Sequence, residues 1–133
     1  EISNFAKPGY EGKHNLKYWN GEEYLGIGPS AHSFIGGVRF CYPRDMKSFS
    51  IGEEPMTDGT GGDEDEYIML RLRLREGLVF REYYERYNKN LPEKVIEKAK
   101  LFEKQGLVTV TDASIALTRE GFLLSNTIIS ELI

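Results

Sequence analysis

The tract that most restricts what this chain can fold into is residues 51–62 (IGEEPMTDGTGG), which holds four glycines and a proline. Glycine loses the most conformational freedom on ordering, and proline cannot donate to a helix or a sheet ladder. Such a composition predicts a linker. The sequence changes character across it. Residues 10–37 are rich in glycine, asparagine and serine and keep no sustained period, whereas apolar residues after Pro55 recur at helical and strand spacings. The expected division is a first segment, 1–54, and a second, 55–133.

The second segment reads as a sequence of short elements. In residues 63–75, Leu70, Leu72 and Leu74 alternate with Arg71, Arg73 and Arg75, which by period alone is a strand. Helix is the better reading. Strong helix formers dominate the run, its first turn is acidic and its last basic, as the helix dipole favours, and Gly77 stands where a left-handed cap belongs. Tyr67, Leu70 and Leu74 would form its core stripe. Phe80, Tyr83, Tyr84 and Tyr87 fall on one face of a second helix, its tyrosines serving the core. Pro92 opens a third helix, with Val95, Ile96, Ala99 and Phe102 inward and Gly106 at its end. Residues 107–111 and 114–117 form a hairpin around Asp112 and Ala113. Thr118 is then the N-cap of a last helix carrying Phe122, Leu123, Ile128, Ile129 and Leu132. Helix, helix, helix, hairpin, helix is the order of a winged helix-turn-helix.

The first segment is less regular. A short strand is expected over residues 2–6, closed by Pro8 and Gly9, then a turn at Asn20-Gly21 and a short strand around Tyr24, Leu25 and Ile27. Residues 38–42 alternate as a strand ended by Pro43. Residues 44–49 give one helical turn with Met46 and Phe49 inward. The chain starts without methionine and in mid-element, which predicts a piece of a longer polypeptide.

Composition excludes several functions. A formal net charge of -4 is wrong for a general nucleic-acid binder. The third helix, the one a winged helix would lay on DNA, mixes Lys94, Lys98, Lys100 and Lys104 with Glu93, Glu97 and Glu103 and offers no arginine or asparagine to read bases. Such mixed charge is usually a solvated face. The single cysteine, Cys41, excludes a disulfide framework and a self-contained thiolate metal or iron–sulfur site. It reads as a small strand residue and fits a reducing compartment. No apolar run is long enough for a transmembrane segment, and the chain is expected to be cytoplasmic.

Chemistry-bearing residues concentrate between His14 and Phe34 (HNLKYWNGEEYLGIGPSAHSF), which includes both histidines and the only tryptophan. His14 is a possible metal or haem axial ligand flanked by Tyr18 and Trp19, although a lone histidine in a polar loop is more often a hydrogen-bonding residue. The same holds for His32. Gly26-Ile27-Gly28-Pro29-Ser30 has the flexibility to bring backbone N–H groups to an anion. It lacks the third glycine and following helix of a dinucleotide fingerprint, and a tight turn is the simpler account.

Taken together, Ile2-Ser3-Asn4-Phe5-Ala6, His14-Asn15 with Tyr18-Trp19, and Gly26-x-Gly-x-x-Ala31-His32-Ser33 resemble successive hallmarks of the oxygen-independent coproporphyrinogen III oxidase-like radical SAM (HemN/HemW-like) proteins. Leu117-Thr118-x-x-Gly121-x-x-Leu124-Ser125-Asn126 resembles that family's C-terminal domain. The H-N-x-x-Y-W block is similar to the haem-chaperone branch. The resemblance implies an α+β fold: an irregular β-containing segment ending a radical SAM barrel that lies outside this chain, followed by a winged-helix-like domain with a small hairpin. It implies haem bound by His14, possible ligand to the iron, with Asn15, Tyr18 and Trp19 shaping the site. Gly26, Gly28, Ser30 and Ala31 would lie near S-adenosylmethionine. The parent would bind a 4Fe-4S cluster, whose C-x-x-x-C-x-x-C motif is absent here, so the chain alone would catalyse nothing. Its partners would be the rest of the barrel, haem and haem-acceptor proteins, with no nucleic acid. Two other readings stay open: an oxygen-independent coproporphyrinogen III oxidase and a DNA-binding winged helix.

Overall fold

The computed structural model describes residues 4–133. The strand expected at 2–6 begins outside the described residues, and residues 4–6 form no strand. The chain divides into two compact units, one formed by Lys13–Asp63 and one that includes Glu64–Ile133.

In the first unit the elements are α1 (Lys13–Trp19), β1 (His32–Ile35), β2 (Val38–Cys41), α2 (Met46–Ser50) and β3 (Met56–Thr60). β1 and β2 form a hairpin across Gly36-Gly37, with Ile35 opposite Val38 and His32 opposite Cys41, the glycine pair that a two-residue turn favours. β3 lies antiparallel to the other side of β2, pairing Met56 with Cys41 and Val38 with Thr60 around an irregularity between Val38 and Phe40. The strand β3 corrects the expected linker at 51–62. An edge strand needs ladder bonds on one side only and tolerates glycine, so β2 supplies what the composition seemed to deny. The helical turn over 44–49 is present as α2, where the carboxylate of Asp45 accepts the Ser48 N–H at 2.6 Å. Phe49 packs edge-on against Tyr42, ring centres 5.4 Å apart. Met46, expected inward, is exposed.

The second unit runs α3 (Glu64–Arg71), β4 (Leu78–Val79), α4 (Phe80–Tyr87), α5 (Glu93–Glu103), β5 (Val108–Val110), β6 (Ser114–Leu117), α6 (Arg119–Leu123) and α7 (Ser125–Leu132). Three helices, a hairpin and a closing helix reproduce the winged-helix order. The wing gains a third strand, because β4 pairs with β6 (Leu78 opposite Ile115) and the sheet order is β4-β6-β5. Ile68, Leu72, Leu78, Tyr83, Val95, Ile115, Ile128 and Leu132 meet in one core. The molecule is α+β.

Three expectations change in detail. The helix predicted over 63–75 ends at Arg71 and continues as tight turns, with the Leu74 N–H bonded to the Arg71 carbonyl at 3.0 Å. Of the expected stripe, Tyr67 and Leu74 are buried and Leu70 is only half-buried, while Ile68 and, just past the helix end, Leu72 are buried as well. Tyr84 leaves the tyrosine stripe and is 49% exposed. The last helix breaks at Leu124 into α6 and α7, which turns Leu123 out to solvent.

Candidate functional site

The HNLKYW block, expected in an irregular loop, is the helix α1. Its stop signal explains why. The Glu22 N–H bonds to the Lys17 carbonyl at 2.9 Å and the Gly21 N–H to the Tyr18 carbonyl at 3.1 Å, the paired bonds of a Schellman cap, with Gly21 at a φ of +62°. The Asn20-Gly21 pair read as a turn is therefore a helix terminus. No residue of α1 is fully buried, so no apolar stripe announces the helix.

Helical spacing stacks His14 under Tyr18, one turn apart. The Tyr18 hydroxyl lies 3.0 Å from Nε2 of His14, and the rings meet edge-to-face at 5.2 Å. Tyr18 also meets Tyr24 edge-to-face at 4.6 Å. Tyr24 is tied to Phe34 by two backbone hydrogen bonds of 2.9 Å, and Phe34 is one of the few fully buried side chains of this unit. The Arg39 guanidinium covers the Phe34 ring at 4.7 Å and donates to the Tyr24 hydroxyl at 3.4 Å. An aromatic path thus runs from a buried anchor to an exposed imidazole. Asn15 lies on the exposed surface of α1, and Trp19 is half-buried at its end. Tyr24, Phe34 and Arg39 carried no sequence signal of this role, because strand pairing and not spacing brings them together.

The glycine turn is built differently. The Gly26 N–H donates to the buried Ser33 hydroxyl at 3.1 Å, and a side chain at Gly26 would collide with the His32 carbonyl oxygen, 2.4 Å from its Cβ. The Ser30 N–H bonds to the Pro43 carbonyl and the Ala31 N–H to the Gly28 carbonyl, both at 3.1 Å. These three amides hold the turn's own shape and are not offered to an anion. His32 Nδ1 stands 3.8 Å from Asp58 Oδ2 with both side chains largely exposed, an arrangement of little energetic weight. Cys41 is a half-buried free thiol. Among the described residues no group of three or more histidine, cysteine, aspartate or glutamate side chains is placed to hold a metal ion.

Residues 65–124, from α3 through the hairpin to the end of α6, match the family described as the HemN C-terminal domain. The heme chaperone HemW of Bacillus subtilis is 36% identical over 134 residues, an alignment covering 95% of this chain. The chain belongs to the HemN/HemW-like family. The heme chaperone HemW of Mycobacterium tuberculosis is 30% identical across the whole chain, and a zebrafish protein named radical S-adenosyl methionine domain-containing protein 1, mitochondrial, is 28% identical over 97% of it. The chain spans 35% of the Bacillus protein, 34% of the mycobacterial one and 33% of the zebrafish one. Among solved structures, the Escherichia coli coproporphyrinogen III oxidase HemN, a radical SAM enzyme, aligns with 84% of the chain and 28% of its own length at a TM-score of 0.60 and 20% identity. At that identity the likeness is one of fold. The match to the HemN C-terminal domain and the likeness of fold to HemN agree with the α+β architecture.

Proposed function

We propose that this chain is the C-terminal part of a cytoplasmic radical SAM haem chaperone, a protein that holds haem and passes it to acceptor proteins. The observation that carries the reading is the presentation of His14, an imidazole on an exposed helix face with the Tyr18 ring beside it. Imidazole nitrogen is an apt ligand for haem iron, and the rings of Tyr18 and Trp19, with Asn15, would shape the surface against the macrocycle. Similarity to proteins named heme chaperone, in alignments spanning nearly the whole chain, supports the same reading.

In the parent, the 4Fe-4S cluster and S-adenosylmethionine would supply radical and electron-transfer chemistry. One cysteine cannot ligate that cluster, so its ligands would lie elsewhere in the polypeptide. By the family resemblance, Gly26, Gly28, Ser30 and Ala31 would lie near S-adenosylmethionine, their neighbourhood held by the hydrogen bonds of Gly26 to Ser33, Ser30 to Pro43 and Ala31 to Gly28. Leu25, Ile27, Ile35, Met46, Ile51 and Met56 are exposed apolar side chains, suited to packing against the rest of the barrel. Among the described residues no helix is long and apolar enough to cross a membrane.

Haemin titration of the full-length protein, followed at the Soret band, tests the proposal. His14→Ala is expected to weaken binding by at least about tenfold, or about 1.4 kcal/mol. Unchanged affinity in that variant would sink the assignment of His14. The fold-level likeness to the oxidase does not carry decarboxylation chemistry to this chain.

A further inference from the structure

We propose that the Tyr18 hydroxyl is a displaceable cap on His14, competing with haem iron for the same nitrogen. The inference rests on His14 being the haem ligand. Tyr18 Oη lies 3.0 Å from Nε2, within ordinary hydrogen-bond range. A neutral imidazole has a single ring nitrogen with a free lone pair, and the hydroxyl donates to it when that nitrogen is Nε2. In the other tautomer the Nε2 proton is donated to the hydroxyl oxygen. Nε2 is engaged either way. Nδ1 adjoins the carbon that joins the ring to the helix, which crowds it against the backbone and leaves Nε2 as the nitrogen open to a large planar ligand. Iron and hydroxyl therefore need the same position on the ring.

The cap is positioned, not incidental. Tyr18 rests edge-on against Tyr24 at 4.6 Å, and Tyr24 is fixed by its backbone bonds to the buried Phe34. The Tyr18 side of α1 is also held by the cap bonds at Gly21 and Glu22. With 37% of its surface exposed, Tyr18 has a hydroxyl that can turn to water once displaced, so the competing state costs one hydrogen bond and no core contact. A carrier that must surrender its cargo gains from such an arrangement: when iron leaves, the hydroxyl reoccupies the nitrogen and opposes rebinding.

The test compares the full-length wild-type protein with Tyr18→Phe and His14→Ala. Phenylalanine keeps the ring and its contact with Tyr24 and removes only the hydroxyl. Tyr18→Phe is expected to bind haemin about threefold to tenfold more tightly, the worth of one exposed hydrogen bond, and to release it to excess apomyoglobin more slowly by a similar factor. In the haem-free proteins, long-range proton–nitrogen spectra of the imidazoles should show the His14 Nε2 resonance move on Tyr18→Phe. Loss of haemin binding in His14→Ala with unchanged or weaker binding in Tyr18→Phe overturns the cap and leaves the ligand standing. Unchanged binding in His14→Ala overturns the ligand assignment and the cap with it.

Discussion

At Gly77 the backbone turns with a φ of +70°, and a Cβ there would stand 2.2 Å from the Ile115 carbonyl oxygen and 2.7 Å from Ala116 Cα. Both atoms belong to the backbone of β6, which cannot yield without loosening its pairing with β4. Gly77→Ala is expected to destabilise the second unit by about 2–4 kcal/mol, roughly 1 from the left-handed backbone and the remainder from overpacking. Urea unfolding measures it, and a loss below about 1 kcal/mol would mean that the wing adapts to the extra methyl. The sequence marked Gly77 as a helix cap, but α3 has ended at Arg71. The glycine is required because a strand passes close by, and no local pattern reports that. Gly21 is the opposite case: Asn20-Gly21 was visible as a breaker, and what it ends became clear only once Lys17 and Tyr18 were seen bonded across it.

Between elements, the junction of α3 with α4 turns on the Glu64 carboxylate. It accepts the hydroxyl of the fully buried Tyr83 and lies 2.6 Å from the Lys89 ammonium. The Lys89 hydrogen bond first, and the Tyr83 hydroxyl second, hold Glu64 below the usual glutamate range, while burial, reinforced by Glu64, pushes the Tyr83 phenol up. The folded state thus binds the Glu64 proton more weakly than the unfolded chain does. The resulting stabilisation is complete above the unfolded pKa of about 4.3 and is lost as pH falls through the lower folded value. Melting temperature should therefore fall between about pH 5 and pH 3 with a steeper slope in wild type than in Glu64→Gln. Matching slopes would show that this carboxylate is not coupled to folding. Such pairings explain which elements were legible. The helices of the second unit bury one face, and burial is what writes a period into sequence. In the first unit α1 has no fully buried residue and every residue of β3 is exposed, so neither left a pattern. The HNLKYW block was legible as a cluster of residue types, whereas the Tyr18–His14 bond needed the helix to be known.

Over the whole molecule the two units differ in what holds them. Among the described residues of Lys13–Asp63 only Ser33 and Phe34 are fully buried, and the unit relies on a short ladder, a hairpin and aromatic edges. The Glu64–Ile133 portion encloses a continuous core in which Ile68, Leu72, Leu78, Tyr83, Ile115, Ile128 and Leu132 are at most 1% exposed. Apolar burial contributes about 25 cal/mol per Å², so opening the second core must cost several times more than opening the first unit's small one. Local opening free energies set amide exchange. In this chain, amides of α5, β6 and α7 should therefore exchange at least about a hundredfold more slowly than those of α1 and β3, a gap of about 2.7 kcal/mol. Hydrogen exchange read by mass spectrometry across peptides of both units is the measurement. Equal protection would mean that the first unit draws stability from something other than its own core. A gap of the expected size makes α1, the helix carrying His14 and Tyr18, one of the most easily opened parts of the chain, which suits the haem uptake and release proposed for it.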